Sequence, residues 1–359
     1  MHLPEPVRAR LARAVAEGVA PGAVLAVVDR SGAIATAATG LRRLDGPTTD
    51  ADTRYDLASL TKVVATLPSV LKLVAAGEVD LDDHVGRFFS GAGLFHEPSL
   101  ADVPIRALLA HASGLPAWRP LYAQPADRRA ALAVVINTEL PHPAGTVVYS
   151  DLGFMLLAAI VERVAHERLD AFATREVFAP LGMRATGYGP VSGVPVAATE
   201  DCGWRDRVLE GEVHDENATV WDGVAGHAGL FGTADDLARY AHAWLTRDER
   251  LAPAALLDAC TAEAAVAADG VRRGLGWVLA HAGSIGGPGA RGYGHTGFTG
   301  TSIWIEPDAG HATVLLTNRV HPRRGSPAGV HALRQDVHAA VRAGFAGAAV
   351  AAAPVGGEA

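Results

Sequence analysis

The 359-residue chain is 49% hydrophobic and 19% charged with a formal net charge of −8, a globular composition with room for one large domain or two lobes. That charge, and the lack of any basic stripe, exclude a protein that binds nucleic acid by neutralising phosphates. No uncharged run reaches the ~18–20 residues of a membrane span, and the N-terminus lacks the apolar block of a secretory signal, so a cytoplasmic protein is expected, with no membrane partner.

In chain order, residues 6–17 carry an amphipathic helical pattern. Residues 22–29 (GAVLAVVD) and 33–40 (AIATAATG), split by Ser31-Gly32, predict a strand hairpin. A mostly helical middle follows, with helical patterns at 60–77, 104–110, 151–167, 170–178 and 235–246. β-like runs return at 274–282, 301–307 and 311–318, with a Gly-rich loop over 283–297, before an amphipathic segment at 329–344. Strands at both ends with helices between them predict an α/β (α+β) fold: an antiparallel sheet flanked by N- and C-terminal helices, with an inserted all-helical domain. The sheet domain is expected in 1–58 plus 247–346, the helical domain in 59–246 and a flexible tail in 347–359. Cys202 and Cys260 form no CxxC or metal-type spacing, and buried thiols are expected.

Of the 31 Lys and Arg residues, only Lys62 and Lys72 are lysines. Lys differs from Arg where a proton must come off, because a guanidinium stays charged while a desolvated ammonium can be stripped. Lys62 lies three residues after Ser59, at the start of a helical pattern, where free N–H groups favour developing negative charge. One turn separates the two side chains, within reach of each other. A neutral Lys62 could take the serine proton, which requires its pKa to fall from about 10.4 towards 7, roughly 4–5 kcal/mol of bias against the ammonium. Ser69 and Lys72 repeat the spacing but lie mid-helix beyond Pro68, and are expected on the helix surface.

Further candidates sit at Tyr149-Ser150-Asp151, where an apolar run meets a helix, and at His295-Thr296-Gly297, which leads towards a strand. A tyrosine oxygen at such a corner could pass protons between lysine, serine and leaving group; the same residues also fit a packing aromatic followed by a helix cap. Small residues around 297 would let substrate lie against backbone, with N–H groups near Phe298 and Ser59 as an oxyanion hole. Other catalytic patterns fail: there is no G-x-S-x-G and no H-E-x-x-H, and the G-x-G-x-x-G matches at 287–292 and 292–297 do not join a strand to a helix.

These three elements, in this order, resemble the serine β-lactamase and penicillin-binding protein superfamily, in its class C-like branch with related esterases and D-aminopeptidases. LLAHASGLPAW (108–118), REVFAPLGMRATGY (175–188) and GVAGHAGLFGTADDLARYA (223–241) are similar to further family segments. The resemblance implies a β-lactamase/transpeptidase-like fold and a serine hydrolase that uses no cofactor or metal and acts through an acyl-enzyme on a small-molecule ester, amide or β-lactam. A penicillin-binding or sensor protein that acylates with little turnover is the alternative. It further implies Ser59 as nucleophile, Lys62 as its base, Tyr149 as second proton-transfer residue and the Ser59 and Phe298 amides as oxyanion donors. His295, Thr296 and Gly297 would bind substrate, Trp118 would line the pocket, and His227 would face the cleft or serve structurally. The sequence departs from the family where Asp151 replaces a common Asn and His295 a common Lys. His295 would supply the positive charge for a substrate carboxylate only partly at neutral pH. Both departures favour an ester or small amide over a β-lactam.

Overall fold

The computed structural model describes residues 2–89, 98–123, 127–287 and 291–352. An eight-stranded antiparallel sheet is assembled from β1 (Gly22–Asp29), β2 (Ile34–Gly40), β3 (Ala265–Val266), β4 (Arg272–Arg273), β5 (Val278–Leu279), β6 (Tyr293–Thr296), β7 (Ser302–Glu306) and β8 (His311–Thr317). Their order across the sheet is β2-β1-β8-β7-β6-β5-β4-β3, so the N-terminal hairpin pairs with the last strand, through Ala23 opposite Thr317 to Asp29 opposite His311. The fold is the mixed α/β arrangement the sequence predicts, an antiparallel sheet flanked by helices, but the inserted segment is not all-helical. It carries short strands at Gly187–Tyr188, Ala198–Cys202, Arg207–Glu210 and Leu230–Gly232 that pair in two smaller sheets. The β-like run at 274–282 contracts to the two residues of β5.

β1 reads as a continuous apolar run because both of its faces are covered. Ala23, Leu25 and Val27 pack with Val7 and Leu11 of α1 (Glu5–Ala16) and with the C-terminal helix, while Val24, Ala26 and Val28 face the main core. This alternation follows from the two-residue period of a strand. The helical middle contributes α2 (Leu67–Ala75), α3 (Asp151–Ala165) and α4 (Ala234–Thr246). α4 packs on β1, β7 and β8, so it belongs with the sheet although it lies inside the 59–246 span. The C-terminal helix α5 spans Ala328–Ala352; the expected tail is therefore helical through 352, and its remainder, 353–359, lies outside the described residues.

The helical pattern at 60–77 is not one regular helix. Lys62–Thr66 form a π-turn, closed by the Leu67 N–H on the Lys62 carbonyl, before α2 begins. Pro68 explains it, because proline lacks the N–H for a regular bond and its ring clashes with the carbonyl four residues back. The same device recurs at Thr174–Phe178, where Ala179 bonds Thr174 just ahead of Pro180. Ser69 is buried with its hydroxyl on the Ala65 carbonyl at 2.7 Å, and Lys72 donates to the Arg250 carbonyl at 2.6 Å. Ser69 is thus not a surface residue, and no hydrogen bond joins the second Ser-x-x-Lys pair among the described residues.

Candidate active site

A cleft of about 630 Å³ opens where strand β6, inside the sheet, meets the helical segments, and Ser59, Trp118, Tyr149, Asp151, His295, Thr296, Gly297 and Phe298 line it. The segment before Ser59 is tightly fixed. Buried Asp56 accepts the Ala58 N–H at 2.8 Å and the His214 N–H at 2.7 Å, which holds Ala58 at a φ of 47° and lifts Ser59 into the cleft. Non-glycine residues seldom adopt that left-handed conformation, and such strain concentrates at functional sites.

The 297–301 loop is stitched to the same segment. Thr299 Oγ1 donates to the Asp56 carbonyl at 2.7 Å and Thr301 Oγ1 to the Leu57 carbonyl at 3.0 Å. Gly297 permits this approach, since a Cβ there would lie 2.5 Å from the Leu57 carbonyl oxygen. The N–H groups of Ser59 and Phe298 have no hydrogen-bond partner among the described residues.

Lys62 is wholly buried, and its Nζ reaches Ser59 Oγ at 3.0 Å, Asp151 Oδ1 at 2.7 Å and the His227 carbonyl at 3.5 Å. Three acceptors match the three protons of an ammonium. Burial pulls its pKa down, but the Asp151 carboxylate, and secondarily Tyr149, outweigh this and hold it above the ordinary lysine value. The resting amine is therefore charged, which overturns the expectation of a neutral Lys62 with a pKa near 7. The reason is the Asn-to-Asp departure: the carboxylate ion-pairs with the lysine across 89 positions of sequence, and Asp151 caps nothing.

The Tyr149 ring lies 4.7 Å from the Lys62 ammonium, with His111 at 4.5 Å and His295 at 5.9 Å between ring centroids. His111 Nδ1 accepts the Ser150 N–H at 3.0 Å, and the Ser150 hydroxyl bonds the Pro116 carbonyl at 2.8 Å, so the corner carrying Tyr149 is pinned on both sides. His295 Nδ1–H donates to the Thr296 carbonyl at 2.9 Å. Burial, together with the nearby Lys62 and Arg273 charges, lowers its pKa to about 3. His295 is consequently neutral at neutral pH, and the expectation that it supplies partial positive charge does not hold.

Positive charge comes from arginines that sequence patterning did not single out. Arg273 on β4 lines the cleft, is 8% exposed, and stands with its guanidinium 5.3 Å from the Tyr149 ring centroid. Its Nε and Nη1 have no hydrogen-bond partner among the described residues. Arg319 and Arg324 lie over the exposed Phe298 ring at 4.9 and 5.8 Å, and His214 stacks on it at 5.7 Å. Arg324 is itself paired to Glu200 and Glu216.

The structure thus brings Ser59, Lys62, Tyr149, Asp151, His295, Thr296, Gly297 and Phe298 together, with Trp118 46% exposed at the mouth. His227 is buried. Its ring bonds Asp215 at 2.9 Å and only its carbonyl reaches Lys62, so the ring does not face the cleft. The loop carrying it sits hard against α3, where a Cβ on Gly226 would collide with the Phe154 carbonyl. His214 also lines the cleft and bonds Glu200 at 2.9 Å.

The sequence matches the Beta-lactamase family over residues 7–336. The chain belongs to that family. Within it, the chain is 34% identical to the N-acetylmuramyl-L-alanine amidase of Bacillus subtilis (strain 168), over 84% of this chain and 78% of that protein. It is 32% identical to a putative D-alanyl-D-alanine carboxypeptidase of Escherichia coli (strain K12), over 77% and 71% respectively. The fold superposes on a D-amino acid amidase from Ochrobactrum anthropi SV3 with a TM-score of 0.74 at 21% identity, covering 94% of this chain and 98% of that one. The protein is a β-lactamase-family serine hydrolase of the class C-like branch.

The buried histidines of this family member have a consequence for its stability. His111 is held well below its usual pKa by burial first and the nearby cations second, and burial likewise takes His338 to about 3. The unfolded chain protonates these rings below about pH 6.5, whereas in the folded chain His338 and His295 resist until about 3 and His111 also stays neutral well below its usual value. Stability is full above that range and falls as pH drops through it, by about 1.4 kcal/mol per pH unit per histidine. Melting temperature is expected to fall steeply from pH 7 to pH 5, and His338→Gln, remote from the cleft, to flatten the slope; a melting temperature constant across that range would contradict this.

Proposed function

We propose that the protein is a serine amidase or peptidase that acts through an acyl-enzyme on small peptides or N-acyl amino-acid amides bearing a free carboxylate. Ser59 Oγ attacks the carbonyl carbon, and the carbonyl electrons move to an oxygen held by the Ser59 and Phe298 amides. The Ser59 proton cannot go to an ammonium, so Lys62 first yields a proton across 2.7 Å to Asp151 and then accepts the hydroxyl proton. A substrate that displaces water from the cleft favours this shift, because a neutral pair survives low dielectric better than separated charges. As the tetrahedral species collapses and the C–N bond breaks, Lys62 and Tyr149 return a proton to the leaving nitrogen. Water then attacks the acyl-serine and restores the hydroxyl.

The observation that carries this reading is the buried Lys62 amine 3.0 Å from Ser59 Oγ, beside two amides with no hydrogen-bond partner among the described residues, in an open cleft. The carboxylate preference rests on Arg273, whose guanidinium lines the cleft and forms no ion pair among the described residues. The names of the relatives, an amidase and a carboxypeptidase, agree with an amide or peptide bond as target. An N-acyl dipeptide and its C-terminal amide form separate the alternatives. Wild-type kcat/KM is expected to favour the free carboxylate about 100-fold, and Arg273→Gln to remove the preference while sparing the capped substrate, in line with about 1.5–3 kcal/mol for a charge-assisted hydrogen bond. Equal rates on both forms in the wild type would reject the carboxylate requirement.

A further inference from the structure

Gly297 and Phe298 share one peptide unit, and in a trans peptide the C=O and N–H point in opposite directions. On the carbonyl side, the Gly297 oxygen accepts from Arg334 Nη2 at 3.0 Å and from the Gly300 N–H at 3.1 Å. The same Nη2 donates to the Thr301 carbonyl at 2.7 Å. On the other side, the Phe298 N–H is unpartnered among the described residues. Arg334 sits on α5 next to Leu333, where Val330, Leu333, Val337 and Val341 are buried against the body of the protein. It is 6% exposed, its Nε has no hydrogen-bond partner, and no ion pair among the described residues includes it.

A buried guanidinium without a carboxylate is costly unless its charge serves something nearby. We infer that Arg334 is a positioning residue for the oxyanion, polarising the Gly297–Phe298 peptide so that its N–H donates more strongly to the negative charge that develops on the substrate carbonyl. A cation at the oxygen end aligns with the peptide dipole, and hydrogen bonds in series strengthen one another. Arg334 also fixes the direction of the N–H, because the carbonyl it grips is part of the same rigid plane. The effect arises only when charge appears on substrate, so it belongs to the transition state and leaves ground-state binding unaltered. This inference rests on the reading of Ser59 and Phe298 as oxyanion donors.

The test measures kcat, KM, melting temperature and phenylboronic acid affinity for wild type, Arg334→Met and Arg334→Lys, the boronate forming a tetrahedral anionic adduct on a reactive serine. An entire oxyanion donor is worth about 100–1000-fold, so loss of its polarising partner is expected to lower kcat about tenfold, with KM within about twofold. Boronate affinity falls in the same ratio, Arg334→Lys lies between, and guanidinium chloride, but not sodium chloride, partly restores Arg334→Met. A role confined to holding the loop would lower the melting temperature and raise KM without rescue or loss of boronate affinity, and that result overturns the inference. A second measurement uses wild type alone: the Phe298 amide proton is expected to move downfield when the boronate adduct forms, and an unmoved signal overturns the inference whatever the variants do. Wild type that binds boronate but shows neither effect defeats this inference alone, whereas wild type forming no serine adduct defeats the underlying reading as well.

Discussion

Ser59→Ala is expected to reduce turnover of any accepted ester or amide by at least about 10³-fold, with the fold, melting temperature and substrate affinity retained. The hydroxyl is the atom proposed to form the acyl bond, and without it only the amides and Arg273 remain to bind and polarise substrate. Enzymes lacking a nucleophile keep a residual rate over water from such binding groups alone, which sets the scale. The Ser59 side chain caps no helix and its loss leaves Lys62 two acceptors, Asp151 and the His227 carbonyl. Stability is therefore expected to change by less than about 1 kcal/mol. Steady-state kinetics with a p-nitrophenyl ester and an N-acyl dipeptide check this, and a loss below about tenfold would reject the assignment.

Lys62→Met is expected to show two separable defects. Turnover falls by about 10³-fold or more, because the group that exchanges protons with Ser59 is gone. Stability also falls, because the Asp151 carboxylate, 19% exposed, is left without its partner. Breaking a buried pair costs about 3–5 kcal/mol, and partial exposure of Asp151 places this one nearer 2–3. Adding Asp151→Asn removes the orphaned charge, so the double variant is expected to recover stability without recovering turnover. Asp151→Asn alone strips Lys62 of its largest supporting charge while burial continues to disfavour the ammonium. The lysine pKa then drops, and the pH–rate profile gains a rising limb below about pH 10.5 that wild type lacks. The sign for stability is the reverse: the raised lysine pKa stabilises wild type fully below about 10.5, and this is lost only as pH climbs through the higher folded value. Chemical denaturation of the four proteins, with pH–rate profiles of wild type and Asp151→Asn, separates these effects; recovery of turnover in the double variant would contradict the role of Lys62.

Much of this arrangement could be read from the sequence where local pattern and global packing agree. The apolar run at 22–29 is legible as a strand because covering both of its faces leaves a continuous apolar signal, and the Ser59–Lys62 spacing stands out because lysine is scarce in this chain. Pro68 carried the signal for the π-turn, yet periodicity alone averages a π-turn into the helix around it. Other features have no local signature. β4 is two residues long, too short to show alternation, so nothing marks Arg273 among the many arginines. The Lys62–Asp151 pair, the Asp56 clamp on His214 and the Arg334 grip on Gly297 join residues far apart in the chain. Protonation states are less local still. The charge on Lys62 and the neutrality of His295 are set by burial and neighbouring charges, neither of which a motif records.

The most direct test of the account is intact-mass analysis of the protein quenched during turnover of a slow acyl substrate, followed by peptide mapping of the adduct. The account predicts one acyl group per chain, on the peptide that contains Ser59, absent from Ser59→Ala and cleared as product is released. An adduct on another residue, or steady turnover with no adduct under conditions that slow deacylation, would contradict it.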